Sequence, residues 1–125
     1  MNRWRWVRAD VALAIHDMQL KEHGGMAGIA DLGRLEAALA RPQNLFAYGA
    51  PDAAELAASY AHGIARNHPF NDGNKRTAWV VARLFLARNR VTLLYEPEEA
   101  VRMMEALAAG DLSESAAAKW FRERL

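Results

Sequence analysis

The chain has 125 residues, of which 52% are hydrophobic and 25% are charged, the balance of a soluble globular domain. This composition excludes disorder throughout the chain, because it supplies enough apolar side chains for a core. With 16 Lys and Arg against 15 Asp and Glu, the net charge of +1 excludes a strong overall attraction to nucleic acid or acidic membranes. The absence of cysteine excludes disulfides, thiolate zinc sites and cysteine nucleophiles, and it favours a reducing compartment.

The N-terminal region lacks the apolar run of a signal peptide or a membrane span. Asp10, His16 and Asp17 interrupt its first apolar stretch, and no stretch approaches the ~20 residues that a membrane helix requires. We therefore expect a cytoplasmic protein with no membrane partner and no direct nucleic-acid partner. Residues 1–125 are expected to form a single domain, since no linker, repeat or low-complexity segment divides them.

Helical periodicity dominates the first half of the chain and predicts three helices. The first covers about residues 10–23, with Asp10 as its N-cap and two glycines as its stop signal. Its apolar face is predicted to consist of Val11, Ile15 and Met18. The second helix opens near Asp31 and is expected to end before Pro42. The third covers about residues 52–67 and opens with the spacing of a capping box.

The second half of the chain predicts three further helices, at about residues 74–89, 97–109 and 111–125. Residues 91–94 are prone to β structure and are predicted to form an extended connector. A short β-hairpin that involves Trp4, Trp6 and such β-prone runs is a further possibility that the sequence does not decide. The expected fold class is therefore all-α, a compact bundle of about six helices with this hairpin as an optional addition.

Residues with chemical potential are concentrated between the third and fourth predicted helices. The segment reads His68-Pro69-Phe70-Asn71-Asp72-Gly73-Asn74-Lys75-Arg76-Thr77. Backbone N–H groups at the start of the following helix form an anion site, and Gly73 lets a ligand approach closely. Lys75 and Arg76 fall in the first helical turn, where the helix dipole disfavours cations by ~0.3–1 kcal/mol at exposed sites. Because a bound anion would reverse that cost, the loop is predicted to bind phosphate.

The other polar residues of this segment suit phosphate chemistry as well. Asp72 offers a hard oxygen ligand for Mg²⁺, and the imidazole of His68 can accept a proton from an attacking hydroxyl. Arg76 can bind phosphate through two hydrogen bonds, and Lys75 acts as a compact charge. The set indicates phosphoryl or nucleotidyl transfer. A structural alternative stays open, in which a polar turn joins two helices, Arg76 pairs with Asp72 and His68 caps a helix.

This segment resembles the signature of the Fic/Doc superfamily, His-Pro-Phe-x-(Asp/Glu)-Gly-Asn-x-Arg, with every fixed position matched. The likeness to death-on-curing proteins extends to residues 23–43 and to Phe85-Leu86 with Asn89, and it covers about residues 10–95. Lys75 separates the motif asparagine from the motif arginine. AMP-transferring Fic proteins usually have glycine there, whereas Doc-like toxins have lysine, so the resemblance favours the Doc branch.

The resemblance implies a Doc-type toxin of a toxin–antitoxin system. Such a toxin uses ATP and Mg²⁺ to phosphorylate a threonine or serine hydroxyl on a translation factor, here expected to be elongation factor Tu, and so blocks translation. The implied catalytic residues are His68 as general base, Asp72 as magnesium ligand, and Lys75 and Arg76 as neutralising charges. The implied nucleotide and phosphate site consists of Arg66, Asn71, Gly73, Asn74, Lys75, Arg76 and Thr77.

The implied partner is a cognate antitoxin that neutralises the toxin through a C-terminal helix lying in a groove. Two other functions remain open from the sequence. One is Fic-type transfer of AMP, or another nucleotide, onto a protein hydroxyl. The other is a non-catalytic module that binds a nucleotide or an antitoxin. Among the remaining histidines, His16 and His23 are expected to be surface or capping residues, and His62 is expected to pack near or support the site.

Overall fold

The structure, a computed structural model, describes residues 3–125 and contains six α-helices in that range, which confirms the predicted all-α class. The helices are α1 (Ala9–His23), α2 (Leu32–Ala47), α3 (Ala53–Asn67), α4 (Asn74–Arg88), α5 (Pro97–Ala109) and α6 (Glu114–Arg122). The β-hairpin left open at Trp4 and Trp6 does not form. Residues 3–8 lack regular structure, and the one bridge among residues 3–125 pairs Ile29 with Phe70.

Helix α3 is the centre of the bundle, because it packs against α2, α4, α5 and α6. Most of its side chains are buried on every side, which is typical of a core helix. Its many alanines let the neighbouring helices approach closely. At Gly63 an added Cβ would lie 3.2 Å from the Cβ of Ala38 on α2, so the close packing of these helices favours glycine there.

Two features of α1 differ from the sequence prediction. The helix begins at Ala9 with Arg8 as N-cap, so Asp10 is not the cap but an acidic residue of the first turn, where the helix dipole favours it. Met18 is 58% exposed, whereas Ala12, Ile15 and His16 are buried. The apolar face predicted from periodicity is therefore rotated, because a histidine rather than a methionine meets the core.

Helix α2 continues through Pro42 to Ala47, which contradicts its predicted end before the proline. A proline inside a helix removes one hydrogen bond and costs about 3 kcal/mol or more. Pro42 is fully buried, and the packing of its ring in the core offsets this cost. The local preference of proline to end a helix is therefore outweighed by tertiary packing.

Local signals elsewhere agree with the structure. Asp52 and Glu55 form the capping box predicted at the start of α3. Pro97 occupies the first turn of α5, and Gly110 ends that helix in a left-handed conformation. Within residues 3–125, no helix combines the length and the apolar character needed to cross a membrane.

Candidate active site

The motif loop, defined here as residues 68–73, joins α3 to α4 through two residues in the left-handed region. His68 caps the end of α3 with φ 50° and ψ 57°, an uncommon conformation for a residue other than glycine. Gly73 begins α4 with φ 76°. Strained backbone of this kind is concentrated at functional sites. The side chain of His68 is exposed at the end of the central helix.

Asn74 closes the motif loop through its side chain. Its Oδ1 accepts the backbone N–H of Phe70 at 3.0 Å, and its Nδ2 donates to the carbonyl of Phe70 at 3.0 Å. Phe70 is buried and ties the loop to the core. Asn74 therefore shapes the site by holding the loop, and its predicted contact with phosphate competes with these two hydrogen bonds.

A second segment, the connector loop (residues 24–31) between α1 and α2, forms one wall of the site. The backbone N–H groups of Ala30 and Asp31 donate to the carbonyl of Pro69, at 2.8 and 3.1 Å. Asn71 binds the connector loop twice, through its N–H to Gly28 and through its Nδ2 to Ala27. The side chain of Asn71 is thus engaged in joining two loops.

Asp72 presents a carboxylate held by backbone groups from both loops. Its Oδ2 accepts the N–H of Met26 at 3.1 Å, and its Oδ1 accepts the N–H of Gly73 at 2.8 Å. The hydrogen bond from Met26, followed by that from Gly73, holds the pKa of this carboxyl below its ordinary value. Asp72 is therefore ionised at neutral pH, and its exposed oxygens retain lone pairs for a cation.

The donor set at Asp72 fits Mg²⁺ in one particular way. Among residues 3–125, no group of three or more histidine or carboxylate side chains is arranged to hold a metal ion. Mg²⁺ is commonly bound by one or two carboxylates, with waters and substrate phosphates completing its shell. The residues present therefore fit a magnesium ion that arrives with a nucleotide.

The first turn of α4 carries positive charge without a protein counter-ion. Lys75 and Arg76 are exposed, and neither forms an ion pair within the described residues. In the same part of the chain, no side chain caps α4, and its first turn contains no acidic residue. The pairing of Arg76 with Asp72, offered as the structural alternative, is not found. Two free cations at the positive end of a helix make this an anion site.

Two predicted site residues, Thr77 and Arg66, make contacts within the protein in this structure. Thr77 is fully buried, and its hydroxyl lies in the core without a hydrogen-bond partner in the described chain. A bound phosphate cannot contact that side chain in this arrangement, which contradicts its predicted role. Arg66 donates from Nη1 to the carbonyl of Ala108 at 3.1 Å, at the C-terminal end of α5.

Sequence reasoning missed the role of His16, which is not a surface or capping residue. Only 3% of it is exposed. Its ring stacks on Phe70 with centroids 3.8 Å apart and an interplanar angle of 6°, and its Nε2 lies 2.8 Å from the carbonyl oxygen of Asp72. The sequence feature that could have indicated its burial is its position next to Ile15, which is also buried. His23 is exposed as expected, whereas His62 contacts Glu114 of α6.

An apolar groove of about 450 Å³ opens beside Lys75 and Arg76, between α4 and α5. Its apolar lining includes Trp79, Tyr95, Val101 and Met104. Arg83 borders the groove, with its guanidinium 5.7 Å from the Trp79 ring centroid and its Nη1 2.7 Å from the Tyr95 hydroxyl. The groove therefore combines an apolar floor with a rim of three cations, Lys75, Arg76 and Arg83, and one carboxylate, Glu105.

Fold and site together define an all-α protein whose central helix ends in a polar loop with an exposed histidine, followed by a helix N-terminus that carries two cations. The model of the Fic/DOC family matches residues 6–86, and the chain belongs to that family. The chain is 40% identical over 119 residues to the protein kinase doc of Escherichia phage P1, covering 94% of each chain. It is also 41% identical over 93 residues to the toxin Doc of Mycolicibacterium smegmatis, covering 70% of this chain and 71% of that one. The resemblance inferred from the motif is thus confirmed.

Proposed function

We propose that this protein is a Doc-type toxin that transfers the γ-phosphate of ATP to a serine or threonine hydroxyl of a translation factor. One observation carries the proposal: an exposed histidine and an ionised carboxylate flank a helix N-terminus whose two cations lack protein counter-ions. The names of the two relatives, a protein kinase and a toxin, support it. Elongation factor Tu is the proposed target, and the cytoplasm the proposed compartment.

The transfer assigns a task to each group at the loop. His68 accepts the proton of the acceptor hydroxyl as its oxygen forms a bond to the γ-phosphorus. The bond between that phosphorus and the β–γ bridging oxygen breaks, and ADP leaves with the electron pair. Lys75, Arg76 and the N–H groups that open α4 stabilise the charge on the transferred group. Asp72 would hold Mg²⁺, which when bound neutralises phosphate oxygens.

Inhibition by an antitoxin is the regulatory part of the proposal. The groove between α4 and α5 suits an amphipathic partner helix, because Trp79, Val101 and Met104 offer an apolar floor. Acidic residues on the same helix would complement Lys75 and Arg76 at the rim. A helix in this position would cover the anion site and exclude the nucleotide phosphates.

AMP transfer onto a protein hydroxyl is the second candidate. It would use the same loop and differ in the phosphorus that is attacked. Lys75 favours γ-phosphate transfer, because it adds a cation where the AMP-transferring branch of the resemblance has glycine. The third reading, a non-catalytic binding module, does not explain why the strained His68 side chain is exposed beside the anion site.

The experiment incubates purified protein with Mg²⁺, elongation factor Tu, and ATP labelled at either the γ- or the α-phosphate. A cell lysate replaces the purified target in a parallel arm. His68→Ala removes the proposed base, and His23→Ala is the matched control, since His23 is an exposed histidine outside the motif loop. We expect γ-label on elongation factor Tu with wild type and His23→Ala, and none with His68→Ala. Label from the α-phosphate would establish AMP transfer, and label from neither would contradict both activities.

A further inference from the structure

The buried histidine of α1 forms the floor under the motif loop. His16 contacts the motif loop at two points, the Phe70 ring and the Asp72 carbonyl, and it lies beside Gly73. An added Cβ at Gly73 would lie 3.7 Å from Cδ2 of His16, so the loop rests directly on the imidazole. Since a carbonyl oxygen only accepts, Nε2 of His16 carries the proton and donates it to Asp72.

This hydrogen bond completes a clamp on one residue. The carboxylate of Asp72 is held by the N–H groups of Met26 and Gly73, and its carbonyl is held by His16. Because the carbonyl and the carboxylate are attached to the same Cα, holding both of them sets the direction in which the remaining carboxylate lone pairs point. Two of the donors come from distant parts of the chain, α1 and the connector loop, and the third comes from Gly73 of the motif loop itself.

We propose that His16 is a positioning residue of the phosphate-transfer site, an inference that rests on the proposed function. It holds the main chain of Asp72 so that the carboxylate and the N-terminus of α4 face one bound nucleotide. The alternative is a packing role, in which only the shape and apolar contact of the ring against Phe70 matter. The two roles differ in whether the Nε2–H group is required.

Three variants separate the hydrogen bond from the packing. His16→Phe keeps a ring for stacking on Phe70 and lacks the donor. His16→Gln and His16→Met form a matched pair of similar length, one with an N–H group and one without. Ile15→Val is the control for loss of core packing on the same helix, since Ile15 is buried and belongs to the hydrophobic core.

We expect His16→Phe and His16→Met to lower kcat by about 10–100-fold, the usual effect of removing a group that orients a metal ligand. The KM values should change far less, because the residue touches neither substrate. His16→Gln should recover most of the activity that His16→Met loses, and Ile15→Val should retain wild-type kcat. Equal losses in the Gln and Met variants would overturn the proposal and leave a packing role, as would wild-type activity in His16→Phe.

Amide hydrogen exchange at Met26 and Gly73 tests the same clamp without any activity. These two N–H groups donate to the Asp72 carboxylate, so we expect faster exchange in His16→Phe and His16→Met and near-native exchange in His16→Gln. If wild type transfers no phosphate, the proposed function fails, and exchange alone then decides whether His16 orients Asp72. Unchanged exchange in both variants that lack the donor would refute the positioning role.

Discussion

Two clusters in this molecule combine a histidine, a carboxylate and arginine, and they are organised in opposite ways. In the structural cluster, formed by Arg41, His62 and Glu114, the three side chains face one another. Arg41 forms an ion pair with Glu114, and Nδ1 of His62 lies 3.3 Å from the same carboxylate. These residues join α2, α3 and α6 in a partly buried position.

In the motif loop and the first turn of α4, the same residue types do not pair with each other. The Asp72 carboxylate is satisfied by backbone N–H groups, and within residues 3–125 neither His68 nor Arg76 forms an ion pair. Both of these side chains are exposed. The comparison teaches that residue types alone do not mark a site. The motif loop differs from the structural cluster because its exposed charges lack ion-pair partners and surround the N-terminus of a helix.

The largest expected effect separates activity from stability at one position. His68→Gly removes the proposed base and should lower the phosphate-transfer rate by about 10²–10⁴-fold. The same change relieves the left-handed backbone at the end of α3 and should raise the free energy of unfolding by about 0.5–1 kcal/mol. Single-turnover kinetics and urea unfolding measure the two quantities. A fall in both would assign His68 to the structure instead.

Arg76 should likewise trade activity against stability. Arg76→Gln should lower the transfer rate by about 10²–10³-fold, because one group that stabilises the transferred charge is lost. Without ligand it should stabilise the fold by about 0.3–1 kcal/mol, because a cation leaves the positive end of α4. Arg88→Gln, in the last turn of the same helix, is the control and should destabilise slightly. Thermal unfolding without nucleotide compares the variants, and a destabilised Arg76→Gln contradicts the anion-site interpretation.

The structural cluster should respond in the reverse manner. Glu114→Gln leaves Arg41 and His62 without their shared carboxylate, and it should lower the free energy of unfolding by about 1–2 kcal/mol, between exposed and fully buried pairs. Its kcat should remain that of wild type. Glu123→Gln is the matched control, since Glu123 is an exposed carboxylate 3.8 Å from Nη1 of the half-buried Arg124, and it should cost less than about 0.5 kcal/mol. If a fully folded Glu114→Gln variant lost kcat, the structural cluster would also contribute to activity, and the contrast between the two clusters would be wrong.

The smallest effect is a pH dependence in the structural cluster. Burial lowers the pKa of His62 below its ordinary value of 6.5, and Arg41 and Arg66 add to this, against the opposing charge of Glu114. The folded protein therefore binds this proton less tightly than the unfolded chain. The stability contributed is complete above pH 6.5 and falls as pH drops from there through the folded pKa. Urea unfolding at a series of pH values below 6.5 measures this effect. The free energy of unfolding should decline less steeply with falling pH in His62→Gln than in wild type, and equal slopes would contradict the assignment.

The parts of the fold that depend on local chemistry were predictable. Six helices, the capping box at Asp52 and the start of α5 at Pro97 follow from periodicity and from residues that act on their own turn. The predictions failed where a distant contact competes with a local preference. Pro42 stays in α2 because its ring is buried, and Thr77 turns into the core.

By itself, the sequence determined the all-α class, the position of the motif loop between two helices and the membership of the family, because each depends on residues close together in the chain. Only the tertiary structure decided which charges remain without partners and what supports the loop. His16 lies 56 positions from Asp72, and Met26 lies 46 positions from it. Such contacts depend on how helices pack, and helical periodicity carries no information about which side chain will meet a loop from another part of the chain.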